Sequence, residues 1–211
     1  MTKIETKKLL NEYASEYIHS TDYEHRYDIE SSRLAYSLIR YFRPRKCLEI
    51  GTWYGGSTSM IMQALLRNGG WFKFIASEVL EDMRETTLVN VKKETGRKPK
   101  IIGDITQEFD LSYKEIDFLF VDTDHDLKTT KWIFKNVFPN LKKGALVAIH
   151  DWAVKEENGK WIGKGLNGVG GWKETNYLMR LHRRGKLPLE KLYWNYEEGE
   201  GREASFWKYT K

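Results

Sequence analysis

The sequence predicts an α/β fold: a doubly wound, mainly parallel seven-stranded sheet, with helices at the N-terminus and an antiparallel hairpin at the C-terminus. Two observations carry this. From residue 46 onward short apolar runs alternate with stretches of helical period, and strands alternating with helices argue a parallel sheet covered on both faces. Near the end of the chain, 189–196 and 205–209 are two strand-like runs that can pair across the polar stretch 197–203.

The elements follow in order. Leu9, Leu10, Tyr13, Tyr17 and Ile18 share one helical face, and Leu34, Leu38, Ile39 and Phe42 share a second, which Pro44 stops. Residues 1–43 therefore read as an N-terminal helical cap, with a polar loop or lid at 20–26, and 44–211 as the main domain. Strands are expected at 46–50, 72–77, 100–102, 117–121 and 145–150. Helices are expected at 57–66, 81–95 (closed by Gly96), 127–138 and 172–184 (closed by Gly185). The glycine-rich stretch 152–171 is long for a compact domain and reads as a lid loop.

Composition narrows the class. The 211 residues are 40% hydrophobic and 31% charged, which suits a single folded domain rather than a disordered chain. No apolar run approaches the roughly 20 residues a bilayer requires, and no apolar segment follows the N-terminal charges, so the expected location is cytoplasmic. The lone Cys47 lies in an apolar run and reads as a small core residue. The net charge of +5 is uneven: residues 1–151 hold 23 basic and 22 acidic residues, whereas 152–211 hold 12 and 8. The same last 60 residues carry Trp152, Trp161, Trp172, Trp194 and Trp207.

In open parallel sheets ligands bind beyond the carboxyl ends of the strands. Those ends read Glu49-Ile50-Gly51, Ser77-Glu78, Gly103-Asp104, Val121-Asp122 and His150-Asp151, an acid at every one. The first loop continues Thr52-Trp53-Tyr54-Gly55-Gly56-Ser57-Thr58. Gly51 permits a sharp turn off the strand, Gly55 and Gly56 permit close backbone approach, and Ser57 is a suitable N-cap. The spacing is neither that of dinucleotide binders nor that of a P-loop. The acids around it would repel phosphate. Glu78, 27 residues beyond Gly51, can accept from a ribose diol, and Asp104 stands where an adenine amino group would lie. A ligand with adenine, ribose and a cationic tail, but no phosphate, is S-adenosylmethionine.

These segments, taken together with Ile116-Asp117-Phe118-Leu119-Phe120-Val121-Asp122 and Gly144-Ala145-Leu146-Val147-Ala148-Ile149-His150-Asp151, resemble the Rossmann-like class I S-adenosylmethionine-dependent methyltransferases. The similarity is greatest to the small-molecule O-methyltransferase branch, which includes catechol, sugar and antibiotic O-methyltransferases. It covers about residues 40–151 well. The resemblance implies that Gly51, Trp53, Gly55 and Ser57 hold the methionine portion of the cofactor, with Glu49 near its amino group. It implies ribose binding by Glu78, adenine-side contacts by Gly103, Asp104 and Ile105, and Asp122 beside the cofactor. It further implies a divalent metal, magnesium or manganese, on Asp122, His150 and Asp151. Histidine is a poor magnesium ligand, so another metal, a site of Asp122 and Asp151 with water, or no metal all remain open. His125, His150 and Asp151 are the catalytic candidates, and His125 occupies the position of a general base.

Each assignment has a structural alternative. Asp104 can cap a turn, His150 can be a core histidine, and His125 can cap a helix beside Asp124 and Asp126. The Trp group can be packing alone. The expected reaction is O-methylation of a small hydroxylated or glycosylated acceptor, such as a sugar or aromatic hydroxyl, stacked by Trp152, Trp161 and Trp172. The rivals are methylation of nucleic acid or protein, and a non-catalytic cofactor-binding protein. The Asn/Asp-Pro-Pro-Tyr/Phe motif of amino-methylating nucleic-acid enzymes is absent after strand four, where Thr123-Asp124-His125-Asp126 stands. No membrane partner is expected, and the oligomeric state, a homo-oligomer included, is left open.

Overall fold

Two apolar clusters, one on each face of a central sheet, organise the chain. The computed structural model describes residues 8–9, 11–18, 29–123, 126–150, 154–157, 160–163, 177–178, 180–181, 184–194 and 204–211. Along the chain lie α1 (Ile29–Phe42), β1 (Lys46–Ile50), α2 (Gly56–Asn68), β2 (Lys73–Ser77), α3 (Glu81–Thr95) and β3 (Lys100–Ile102). Then follow α4 (Ile105–Glu108), β4 (Ile116–Val121), α5 (Leu127–Asn136), β5 (Leu141–His150), β6 (Val154–Glu157), β7 (Lys160–Gly163), β8 (Leu189–Trp194) and β9 (Ala204–Tyr209).

The main sheet has the order β3-β2-β1-β4-β5-β9-β8. The first five strands are parallel, and β9 runs antiparallel to both β5 and β8. The order reverses between β1 and β4, and a crevice at such a switch point is where open sheets bind ligands. The seven strands and the terminal hairpin agree with the sequence expectation.

Successive strand residues serve opposite faces. Cys47, Phe74, Phe118, Phe120 and Leu146 pack with Leu38 of α1 and Met60, Ile61 and Leu65 of α2. Leu48, Ile75, Leu119, Val147 and Trp207 pack on the other face with Ile133, Val137 and Phe138. Each fully buried side chain of this size contributes about 1.5–3 kcal/mol relative to exposure. Cys47 is fully buried, and burial pushes its thiol well above the usual range. Trp207 is a core residue whose Nε1–H donates to Ser205 Oγ at 2.9 Å, so for this Trp the packing alternative holds.

The N-terminal helical segment joins the α1–α2 face. Leu9 is buried in that cluster, Gln63 Nε2 donates to the Ile18 carbonyl at 3.1 Å, and Arg40 Nε lies 3.1 Å from Glu16 Oε2. At the opposite end of the strands from the crevice, Asp117 accepts from the Arg45 and Lys46 amides at 2.9 and 2.7 Å, fixing the start of β1 to β4. Among the described residues no helix is long and apolar enough to cross a membrane.

Several boundaries differ from expectation. α2 starts at Gly56, with Gly55 as N-cap at φ 91°, so Ser57 is not the cap. Pro139 ends the helix expected over 127–138 early, since α5 stops at Asn136 and 138–140 form a 3-10 turn. β5 begins at Leu141, because exposed Lys142, Lys143 and the φ 85° Gly144 break the apolar run without breaking the strand. Within 152–171 the described residues are a β6–β7 hairpin rather than a loop; Trp152 and the rest of that stretch lie outside the described residues. Of the helix expected over 172–184, residues 177–178 and 180–181 are described and helical.

Candidate functional site

The carboxyl ends of β1, β2 and β4 are locked side by side. Gly51 N donates to Ser77 O at 2.9 Å, Asp122 N to Ile50 O at 2.8 Å, and Glu78 N to Ile102 O at 3.0 Å. Gly51 has φ 88°, and a Cβ there would stand 1.7 Å from the Asp122 carbonyl oxygen. Only glycine permits this approach of the first loop to β4.

Glu49 sits just inside the loop and is fully buried. Its Oε1 accepts the Ser57 hydroxyl at 2.6 Å. Its Oε2 has no partner in hydrogen-bonding geometry among the described residues, with the equally unpartnered Thr58 hydroxyl near enough to favour the charged form. Burial raises this carboxyl to about 8, against the pull of the Ser57 and Thr58 hydroxyls, and the negative charges of Asp122 and Glu78 push the same way. A carboxylate oxygen buried without a donor is costly unless a ligand supplies one. The residue pattern that suggested a helix cap at Ser57 therefore serves Glu49 instead.

Glu78 is also buried, and it organises the loop. Its Oε2 accepts from Thr52 N at 3.1 Å and Trp53 N at 3.0 Å, and its Oε1 accepts from Leu80 N at 3.1 Å. From the other side α3 grips the same loop. Thr87 Oγ1 donates to Trp53 O at 2.7 Å and lies 3.2 Å from Thr52 Oγ1, while Asn90 Nδ2 donates to Tyr54 O at 2.9 Å. Gly55, at φ 91°, packs close to Thr87, where a Cβ would meet its Cγ2 at 3.1 Å. Sequence reasoning missed Thr87 and Asn90. They sit on a helix that otherwise reads as solvated, and only the fold brings them to the loop.

On β3, Gly103 N donates to Glu108 Oε2 at 2.9 Å. Asp104 is the N-cap of the short helix α4, accepting from Thr106 N and Oγ1 at 2.8 Å and from Gln107 Nε2 at 2.9 Å. Partial burial opposes it, but these hydrogen bonds hold its carboxyl below the usual range. The capping alternative is thus realised for Asp104. Ile105 is buried in the apolar cluster beside Ile75. At α5 the N-cap is Asp126, which accepts from Thr129 N at 2.9 Å. His125 and Asp151 lie outside the described residues.

On β4 and β5, His150 Nδ1 and Asp122 Oδ1 are 3.0 Å apart, with the imidazole nearly buried. The expected metal requires a ligand set. Among the described residues no three His, Cys, Asp or Glu come together, and the two that do meet are bonded to each other. Of the three expected ligands only Asp122 and His150 are described, and a histidine is a poor partner for magnesium among oxygen donors, so no step below passes through a metal. S-adenosylmethionine is different. The donorless Glu49 Oε2, the tight Gly51 turn and the acidic rim fit its cationic tail.

Residues 48–152 match the family model described as a methyltransferase domain. No curated protein matches the chain in sequence. Among solved structures, the O-methyltransferase from Bacillus cereus, crystallised with S-adenosylhomocysteine, superposes with a TM-score of 0.65 at 13% identity, covering 99% of this chain and 92% of its own. The O-methyltransferase TomG from Streptomyces achromogenes, which takes part in tomaymycin synthesis, gives 0.64 at 16%, covering 100% and 92%. An rRNA methylase from Streptococcus thermophilus gives 0.60 at 11%, covering 85% and 96%. At these identities the likeness establishes the fold they share, while the matched domain establishes the enzyme class. The chain belongs to the class I S-adenosylmethionine-dependent methyltransferases.

Proposed function

We propose that the protein transfers the methyl group of S-adenosylmethionine to a hydroxyl of a small acceptor, with Glu49 receiving the cofactor's ammonium. The single observation behind the cofactor assignment is the buried Glu49 carboxyl, with one oxygen filled by Ser57 and the other awaiting a donor. When bound, the cofactor supplies an electrophilic methyl on a sulfonium. Glu78 holds Thr52 and Trp53 in place through their amides, and the lone pair left on its Oε1 beside the Leu80 amide suits a ribose hydroxyl. Gly103, Asp104 and Ile105 border the adenine side.

Acceptor chemistry is assigned to the Asp122–His150 pair. In the neutral ring, Nδ1–H donated to the carboxylate leaves the lone pair on Nε2, the tautomer a base needs. His150 so held takes the hydroxyl proton as the oxygen meets the methyl in line, and positioning supplies much of the acceleration. The Bacillus and Streptomyces neighbours, both O-methyltransferases, support a hydroxyl acceptor, and the rRNA methylase on the same fold keeps nucleic acid as the rival. Absence of the amino-methylating motif after β4 favours the small acceptor.

Titration calorimetry with S-adenosylmethionine tests the reading. The wild type is expected to bind, and Glu49→Gln to bind at least tenfold more weakly. No binding by the wild type refutes the cofactor assignment. Turnover on small hydroxylated acceptors, set against transcribed RNA, separates the two acceptor classes.

A further inference from the structure

The sheet is electrically polarised from one end to the other. The strands end in acids but begin in bases. Lys46 opens β1, Lys73 opens β2 and Lys100 opens β3; Lys114 leads into β4, and Lys142 and Lys143 lie in the first turn of β5. The register places Lys46 beside Lys73, and Lys100 beside Ile75 of β2, so these side chains form a row across neighbouring strands. At about 4.8 Å per strand the row from β3 to β5 is about 19 Å long. It lies about 17 Å from the cofactor crevice, the length of β1.

These cations are held by neutral groups. Lys46 Nζ donates to Lys114 O at 3.1 Å, Lys73 Nζ lies 4.6 Å from the centre of the Tyr113 ring, and Lys114 Nζ donates to Asn140 Oδ1. No carboxylate among the described residues forms an ion pair with any of them. Of the acids on this edge, Asp117 is spent on the Arg45 and Lys46 amides. Asp110 and Glu115 are the exposed ones among the described residues. Trp71, 65% exposed, stands at the start of β2, and Arg45 donates to its carbonyl at 3.0 Å. Asp110 lies within electrostatic reach of Lys73 and Lys100, so the acids of this edge offset only part of the lysine row. A large ring left in water beside cations in such excess is the pairing that single-stranded nucleic acids use, phosphates on the bases of the protein and a nucleobase on the ring.

We propose that this edge docks a single-stranded nucleic acid, its phosphates on the lysine row and a base stacked on Trp71. A linear array of negative charge matches a row one residue deep. A single ring among spaced cations suits a stacked base between phosphates, and a bilayer would call for a broad apolar face rather than one ring on a ledge. The surface is distinct from the methyl-transfer crevice, and the inference stands whether the acceptor there is small or not.

The experiment is fluorescence anisotropy of a labelled 20-nucleotide oligouridine with the full chain, between about 50 and 200 mM salt. Binding is expected, falling steeply with salt. The variant K73E/K100E/K142E should weaken it at least tenfold and flatten the log–log salt slope by about 2, at roughly 0.7 per lost phosphate contact. Trp71→Ala should weaken binding severalfold while Trp71→Phe retains most of it. K114E/K143E, on the same edge, gives an independent loss should the triple variant fold poorly. S-adenosylmethionine affinity should stay unchanged in all of them. No binding by the wild type at the lowest salt overturns the proposal. So does binding that every edge variant leaves intact, which would place it on the basic C-terminal third. Preference for phosphatidylserine vesicles, with no competition from the oligonucleotide, would replace the strand with a membrane surface and also overturn it.

Discussion

Glu49 and Ser57 are joined at 2.6 Å across the turn between β1 and α2, and that contact leaves the buried carboxyl half satisfied. Because burial lifts Glu49 to about 8, the folded protein keeps its proton where the unfolded chain, near 4.5, has lost it. The folded state thus binds more protons between these values, and stability without ligand falls as pH rises from about 4.5 to 8. At pH 7 the cost is about 3 kcal/mol. Glu49→Gln removes the titration. Urea denaturation should show the variant more stable than the wild type at pH 7.5 and equal to it near pH 4. A difference independent of pH would refute the assignment.

The Thr87 hydroxyl is expected to set the loop. Thr87→Val keeps the shape but strands the Trp53 carbonyl and the Thr52 hydroxyl, a loss of about 1–2 kcal/mol in stability. Cofactor affinity should fall about tenfold, and Thr87→Ser should restore most of it. Equal affinity in the valine and serine variants would show that the hydroxyl is incidental.

His150→Ala should lower kcat by about 100-fold or more while cofactor dissociation constants change less than twofold. Asp122→Asn should lower kcat with little change in KM, because the amide no longer fixes the ring's tautomer. Loss of cofactor binding in His150→Ala would move that residue into the cofactor site.

Gly51→Ala should cost about 4 kcal/mol or more, since the added methyl collides with β4 backbone in a left-handed conformation. Gly69→Ala, at φ 64° and ψ 177° but with open space around it, should cost about 1–3 kcal/mol from strain alone. Chemical denaturation of the two variants separates collision from conformational strain.

Much of this was legible along the chain because local signals and tertiary structure agree. α3 ends where Gly96 stands, in the left-handed conformation at φ 74°, and β3 is the short run 100–102. The described acids at the strand ends, Glu49, Glu78, Asp104 and Asp122, do gather on one edge of the sheet, as parallel order requires. What stayed hidden depends on partners distant in sequence. Ser57 has the composition of a cap, but its hydroxyl is claimed by a carboxylate eight positions earlier. Thr87 and Asn90 act on a loop more than thirty residues away. Asp104 suits both a ligand and a helix start, and its neighbours Thr106 and Gln107 decide for the helix. The hairpin of β6 and β7 lies in a glycine-rich stretch whose composition resembles a loop.

One property of the first loop bears on what the enzyme refuses. The amides of Gly51, Thr52, Trp53 and Gly55 are all committed to Ser77 O, Glu78 Oε2 and Thr52 O. A loop that grips pyrophosphate does so by keeping such amides unspent and turned toward the anion. This loop has closed its own hand. Nucleotide diphosphates and triphosphates, which share adenine and ribose with the methyl donor, would find these four amides already spent and the buried acids Glu49 and Glu78 beside them, which disfavours a phosphate in this turn.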